Sequence, residues 1–332
     1  MSKKVMIYGE FWDGTLPNMI KKSFINRGFK VNEFDYTNIL PGIRERSLSS
    51  RIKRRALKFF YEKIIEKKFL KSCHTFKPDV LIVCKGINLN NKVISFIKES
   101  SFYSLNWNPD DFFNMKTSSK RLINSLPVYN AILSSRPHMF DKYYNLGAQK
   151  VIFSDWYYIP EYHYSLNEPI KRQISFVGSW SKLREKTLSE IKHKVDIWGG
   201  GWNMSSESFN KIHNVHMKVL TQREMSIVFS TSRFNLNLLT PDNFDNINLR
   251  FFEIPASGGL LVTKKTAQSS EFLKDGEDCI MYDHDDNINT FIDSERKDLD
   301  KICQSGYSKI RVSRNTFDSR LDAILAEIAL FS

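Results

Sequence analysis

Residues 245–271 read DNINLRFFEIPASGGLLVTKKTAQSSE. A helical stretch, Asn246–Ala256, stops at the pair Gly258-Gly259, a short apolar strand at Leu260–Thr263 follows, and Glu271 opens the next element. Glycine ends a helix because it reaches backbone conformations that side chains resist. An apolar run of four residues bounded in this way reads as a strand buried on both faces. Helix, tight turn and buried strand in that order make the repeating unit of a parallel α/β sheet.

Working outward, the same alternation runs almost from end to end. Lys4–Tyr8 (KVMIY), Val31–Asp35, Asp79–Cys84 (DVLIVC), Tyr103–Trp107, Ala131–Ser134 and Lys150–Phe153 read as strands, with helices such as Asn18–Asn26 and Met139–Tyr144 between them. The pattern breaks at Ser154–Arg172, SDWYYIPEYHYSLNEPIKR, which is aromatic, carries proline and has no period. A second run follows: Gln173–Val177, the helix Lys182–Lys192, Val195–Trp198, the helix Gln222–Ser230, Phe234–Leu238, and Cys279–Tyr282 after the opening stretch. Ser308–Leu330 places Ile310, Phe317, Leu321, Ile324 and Ile328 at helical spacing and reads as one terminal helix. The expected architecture is therefore α/β, with two Rossmann-like, doubly wound domains facing a cleft. The boundaries fall at 1–155, a linker at 156–172, a second domain at 173–305, and a C-terminal helix at 306–332 that packs back on the first domain. Ligands of such sheets bind beyond the carboxyl ends of the strands, so function is sought in the loops that follow them.

Composition narrows the class. The chain has 332 residues, 41% of them hydrophobic and 13% aromatic, which excludes disorder and allows two cores. Its four cysteines, Cys73, Cys84, Cys279 and Cys303, form no close pair and read as reduced core thiols rather than disulfides or a zinc site. No apolar run approaches the roughly 20 residues that span a bilayer, and no leader peptide is evident, so a cytoplasmic protein is expected. The net charge of +12 raises nucleic-acid binding as a reading. Against it, the excess is concentrated in one segment and no helix-turn-helix, zinc-finger or RNA-binding signature is present. Arg44–Lys71 holds eleven basic residues against three acidic ones, with Ala56, Leu57, Phe59, Phe60, Ile64, Ile65, Phe69 and Leu70 interleaved at about helical spacing. Such a helix packs its apolar side on the sheet, lies on a membrane surface or grips an anionic acceptor.

Four loops carry candidate chemistry. After the first strand come Gly9, Glu10, Trp12, Asp13 and Gly14, a turn that leads into a helix whose free N–H groups suit an anion. The spacing is not that of a dinucleotide fingerprint, and a plain turn is the alternative. The second domain opens with Gly178 and Ser179 after a strand and Arg184 in the next helix, which can bring N–H donors and a cation to a diphosphate. Gly199, Gly200 and Gly201 are followed by Trp202, a mobile hairpin or a loop whose aromatic ring stacks on a base. In the opening stretch, Arg250 suits phosphate and Glu253 suits the bidentate grip of a ribose diol, unless the two make an ordinary surface pair. His213 and His216 lack partner ligands, so no metal is expected. Asp13 and Asp110 each follow a strand of the first domain and are candidate bases, although both residues commonly serve as helix caps.

The segments ISFVGSWSKLRE, VDIWGGGW, NLNLL, NLRFFEIPASGGLLVTKK and EFLKDGEDCIMY, spanning about residues 173–285, resemble CgeB-type (spore-maturation-like) glycosyltransferases of the group-1 clan, which have the GT-B fold. The resemblance implies transfer of a sugar from a nucleotide-diphosphate sugar to a hydroxyl, without a metal cofactor. It implies a donor held by the C-terminal domain and a glycan, lipid-linked or protein acceptor held by the N-terminal one, in bacterial surface-glycan synthesis. In the clan's E-x7-E motif the second carboxylate serves the ribose, and Glu253 falls there; Asp245 stands at the first position, near the donor sugar. A GT-B epimerase or phosphorylase shares the fold without the transfer, and a sugar-nucleotide-binding protein without activity shares the site.

Overall fold

The run KVMIYG at Lys4–Gly9 forms strand β1, in which Val5, Met6, Ile7 and Tyr8 are fully buried, as a strand covered by helices on both faces must be. The computed structural model describes residues 2–40, 52, 53, 55–115, 117–166, 168–240, 246–283, 287–294, 296–312 and 314–328. It divides into two units, Met1–Asp155 with Ile324–Ser332, and Trp156–Ala323.

In the first unit β1 is joined by β2 (Lys30–Asp35), β3 (Val80–Cys84), β4 (Tyr103–Trp107), β5 (Ala131–Ser134) and β6 (Val151–Phe153). All pairs are parallel, in the order β2-β1-β3-β4-β5-β6. On one face Met6, Tyr8, Leu81 and Val83 pack against Tyr61, Ile65, Phe69 and Cys73 of the helix Lys58–Phe76, whose buried positions recur every four residues. The chain's return, near Glu327, is tied to this unit by Lys150 Nζ, which donates to Glu327 O at 2.7 Å.

The second unit contains β7 (Arg172–Val177), β8 (Val195–Trp198), β9 (Asn214–His216), β10 (Ser232–Asn237), β11 (Leu261–Lys264) and β12 (Ile280–Tyr282). They too are parallel, in the order β12-β11-β10-β7-β8-β9. Numbered within the unit this is the Rossmann order, and its direction reverses between β7 and β10. In the first unit the reversal falls between β1 and β3. A buried polar pair sits inside the second sheet, where Ser175 Oγ donates to Asn235 Oδ1 at 2.7 Å.

Two expectations change. The terminal helix is in fact two, Leu299–Val312 and Phe317–Glu327. Between them Asn315 O accepts from Tyr158 N at 3.0 Å, Phe317 N donates to Tyr158 O at 3.0 Å, and Thr316 Oγ1 caps Ser319 N at 3.1 Å. Backbone groups engaged across the chain in this way cannot complete a helical ladder. The short strand β9 was not legible, because an edge strand of sequence NVH carries no apolar run. The helix of the opening stretch spans Leu249–Ala256, with Asn248 at its N-cap.

Candidate active site

The carboxyl end of β7 is the focus of the second unit. Gly178 N donates to Trp198 O at 2.9 Å and Trp180 N to Gly200 O at 2.8 Å, so the loops after β7 and β8 are knitted together. Their approach depends on Gly199, whose φ is +138° and whose added Cβ would stand 2.0 Å from Gly178 O. Trp202 is packed into the core beneath them. Its indole Nε1 donates to Gly178 O at 2.8 Å and its ring stacks on Phe209, which leaves no open face for a base.

Two guanidinium groups converge on the same strand end. Arg184 Nη1 donates to Ser179 O at 2.9 Å, and its Nη2 donates to Leu238 O, just past β10, also at 2.9 Å. It therefore spans the position where the strand order reverses. Arg250 Nε donates to Val177 O at 3.2 Å, and its Nη1 is ion-paired with Glu253 Oε2. Burial and the nearby Arg250 charge push the Arg184 guanidinium down to about 10, although it remains cationic at neutral pH. Two like charges held together at one strand end are suited to a dianion.

Glu253 is buried, with one oxygen on Arg250 and the other 3.8 Å from His163 Nε2. His163 came from the aperiodic segment between the domains and was not singled out in the sequence. Its Nδ1 accepts from Ile159 N at 3.0 Å, so the ring proton belongs on Nε2, which faces Gln222 Oε1 at 3.1 Å. Burial holds His163 below its ordinary value, with Glu253 opposing the shift, so the ring is neutral.

The glycine turn after Ala256 behaves as read. Gly258 has φ +75° and Gly259 N donates to Ile254 O at 3.0 Å, closing the helix. Sequence reasoning missed a short amide chain beside it. Asn248 Nδ2 donates to Asn237 Oδ1 at 3.0 Å, and Asn237 Nδ2 donates to Thr263 Oγ1 at 3.2 Å. Asn248 Oδ1 is buried and accepts nothing among the described residues. The cue was available, since asparagine directly before an apolar helix is an N-cap signature. Asp245 lies outside the described residues.

In the first unit the loops after β1 and β4 hold the remaining candidates. Gly9 lies against Pro17, Glu10 accepts from the Tyr36 hydroxyl, and Thr15 Oγ1 donates to Glu10 O at 2.7 Å and Trp12 O at 2.8 Å around Gly14. Asp13 lies 3.5 Å from Lys22 Nζ, and Asp110 lies 2.6 Å from Lys85 Nζ. Lys85 follows β3 with φ +65°, a conformation that costs a side-chain-bearing residue energy. Asn106 Nδ2 supports it by donating to Lys85 O at 3.1 Å.

Residues 172–326 match the family model described as glycosyl transferase-like. No curated protein matches the chain in sequence. The fold is shared with a sucrose-phosphate synthase from Thermosynechococcus elongatus, at TM-score 0.72 and 9% identity over 99% of both chains. It is also shared with a UDP-forming α,α-trehalose-phosphate synthase from Burkholderia xenovorans, at TM-score 0.62 and 11% identity over 100% of this chain and 99% of that one. A third likeness is to Anabaena HepE in complex with UDP and glucose, at TM-score 0.61 and 7% identity over 98% and 99%. The two parallel six-stranded sheets are those of the GT-B fold. Residues 172–326 are thus a glycosyl transferase-like domain within a chain of GT-B fold.

Proposed function

We propose that the protein transfers a glycosyl group from a nucleotide-diphosphate sugar to an acceptor hydroxyl, and that the donor binds at the carboxyl end of β7. The observation that carries this is the convergence of Arg184 and Arg250 on Val177, Ser179 and Leu238, where the strand order reverses. The diphosphate meets the two guanidiniums, and as the glycosyl bond breaks they neutralise the charge that develops on the leaving phosphate. They supply that charge without a metal ion. A carboxylate offers about four acceptor positions. Arg250 and His163 face Glu253 from two sides, and its remaining lone pairs serve the ribose diol.

The acceptor reading rests on the first unit. Asp110 or Asp13 takes the proton of the attacking hydroxyl in an inverting reaction. The clan resemblance favours a glycan, lipid-linked or protein acceptor in bacterial surface-glycan synthesis, with the enzyme cytoplasmic and peripheral at the inner face of the membrane. No helix among the described residues is long and apolar enough to cross a membrane.

The test is thermal unfolding in the presence of UDP, GDP, dTDP, CMP and ADP and their sugars. A ligand that binds only the folded chain stabilises it by RT ln(1 + [L]/Kd), about 2.7 kcal/mol at a hundredfold excess over Kd. A rise in melting temperature with one nucleotide series supports the donor site, and no rise with any of them removes it.

A further inference from the structure

The helix Lys58–Phe76 sorts its charges by side. Its two carboxylates turn toward the protein. Glu62 is buried and accepts from Arg121 Nη1 at 3.1 Å and Nη2 at 2.5 Å. Glu66 accepts from Asn90 Nδ2 at 2.6 Å and lies 3.7 Å from Lys92 Nζ. The exposed charged residues of the helix, among them Lys63, Lys67 and Lys71, are all cations apart from the His74 imidazole.

The apolar residues are sorted as well. Tyr61, Ile65, Phe69 and Cys73 cover the sheet. Packing on the sheet thus accounts for that stripe and leaves Phe59 and Phe60 over, 79% and 58% exposed, with Leu57 beside them at 41%. A buried phenylalanine contributes about 1.5–3 kcal/mol, so two adjacent ones left in water mark a surface that meets something apolar. Phe60, Lys63, Lys67 and Lys71 follow one another at three- and four-residue steps, so they share one stripe of the helix. A flat surface touches the whole stripe at once. It must be apolar at depth to receive the rings and anionic at its face to receive the lysines.

We propose that this face docks on an anionic lipid leaflet, with Phe59 and Phe60 entering the boundary between headgroups and acyl chains and Lys63, Lys67 and Lys71 lying on lipid phosphates. The proposal deepens the peripheral membrane reading above and rests on it, but not on the donor site. Part of the basic segment, residues 44–51 and 54, lies outside the described residues.

The experiment is co-sedimentation of the full chain with vesicles of phosphatidylcholine alone or mixed with phosphatidylglycerol, at low and high salt. The wild type is expected to pellet with the anionic vesicles and to be partly released by salt. The K63E/K67E variant should lose about 25-fold or more in partitioning, at roughly fivefold per lysine removed. The F59S/F60S variant should lose the fraction that resists salt. All four side chains are exposed, so both variants should melt like the wild type and keep its nucleotide-induced thermal shift, which separates this test from that of the donor site. Equal pelleting on neutral vesicles, pelleting on neither, or wild-type binding by K63E/K67E overturns the proposal. Capture by DNA with no vesicle binding also overturns it, in favour of a polyanion.

Discussion

Arg184 donates from Nη2 to Leu238 O at 2.9 Å, a bond from the helix after β7 to the end of β10. Together with its bond to Ser179 O it pins a cation at the reversal point of the sheet without using a carboxylate. A guanidinium anchored through carbonyl oxygens keeps its full charge for a ligand. Arg184→Ala should therefore weaken nucleoside-diphosphate binding by about 10- to 100-fold, corresponding to roughly 1.5–3 kcal/mol for a charged hydrogen bond. Titration calorimetry reads this directly, and unchanged affinity would move the diphosphate elsewhere.

Glu253 separates binding from folding. Glu253→Gln keeps the shape and loses the charge that Arg250 and His163 face. We expect a loss of nucleotide affinity of about tenfold or more. If the variant lost stability alone, with affinity intact, the carboxylate would be a structural partner of Arg250 and not a ribose ligand.

The pH dependence has a definite sign. His163 and His213 are both held below the ordinary 6.5 by burial. The unfolded chain therefore binds more protons than the folded one below about pH 6.5. Stability is complete above that value and declines as pH falls toward the folded values, by at most about 1.4 kcal/mol per pH unit for each histidine. Denaturant unfolding at pH 7.5 and 5.5 should show the decline, and His163→Gln should remove part of it and leave the His213 share.

At Gly199 an added methyl group meets Gly178 O while the backbone stays at positive φ. Gly199→Ala should cost at least about 1–3 kcal/mol and lower the melting temperature by several degrees. Because the same contact joins the loops after β7 and β8, nucleotide affinity should fall with it. A variant as stable as the wild type would show that the loops can part.

For the transfer step, Asp110→Asn should lower kcat by about a hundredfold or more with donor KM unchanged, as loss of a general base does. A loss seen with Asp13→Asn instead would assign the role to the loop after β1. Transfer should also persist in EDTA. Abolition by EDTA and recovery with magnesium or manganese would show that the two guanidiniums do not suffice.

The strands were legible because parallel strands buried on both faces must be apolar runs, as in Val80–Cys84. The turn at Gly258 was legible because positive φ selects glycine. The split in the terminal helix was not, since Ile310, Phe317, Leu321 and Ile324 keep a helical phase across the break. That break is made by Tyr158, more than a hundred residues earlier. Trp202 misled for a different reason. An aromatic ring beside glycines looks like a stacking platform, but burying its large apolar area beside Phe209 prevails. His163 gave no signal, because its partners Gln222 and Glu253 are brought to it only by the fold.

Tyr158 also has a consequence for how the chain comes into being. It pairs with Asn315, Thr316 and Phe317, so the place where the backbone enters the second unit is stitched to the place where it leaves. The second unit is one unbroken piece with neighbouring ends, whereas the first is assembled from two pieces with that whole unit between them. On the ribosome the inserted unit can close as soon as its own residues have emerged. The first must wait for the last turn of Phe317–Glu327 before Lys150 finds Glu327 O, so it is completed only after the unit inserted within it has been made.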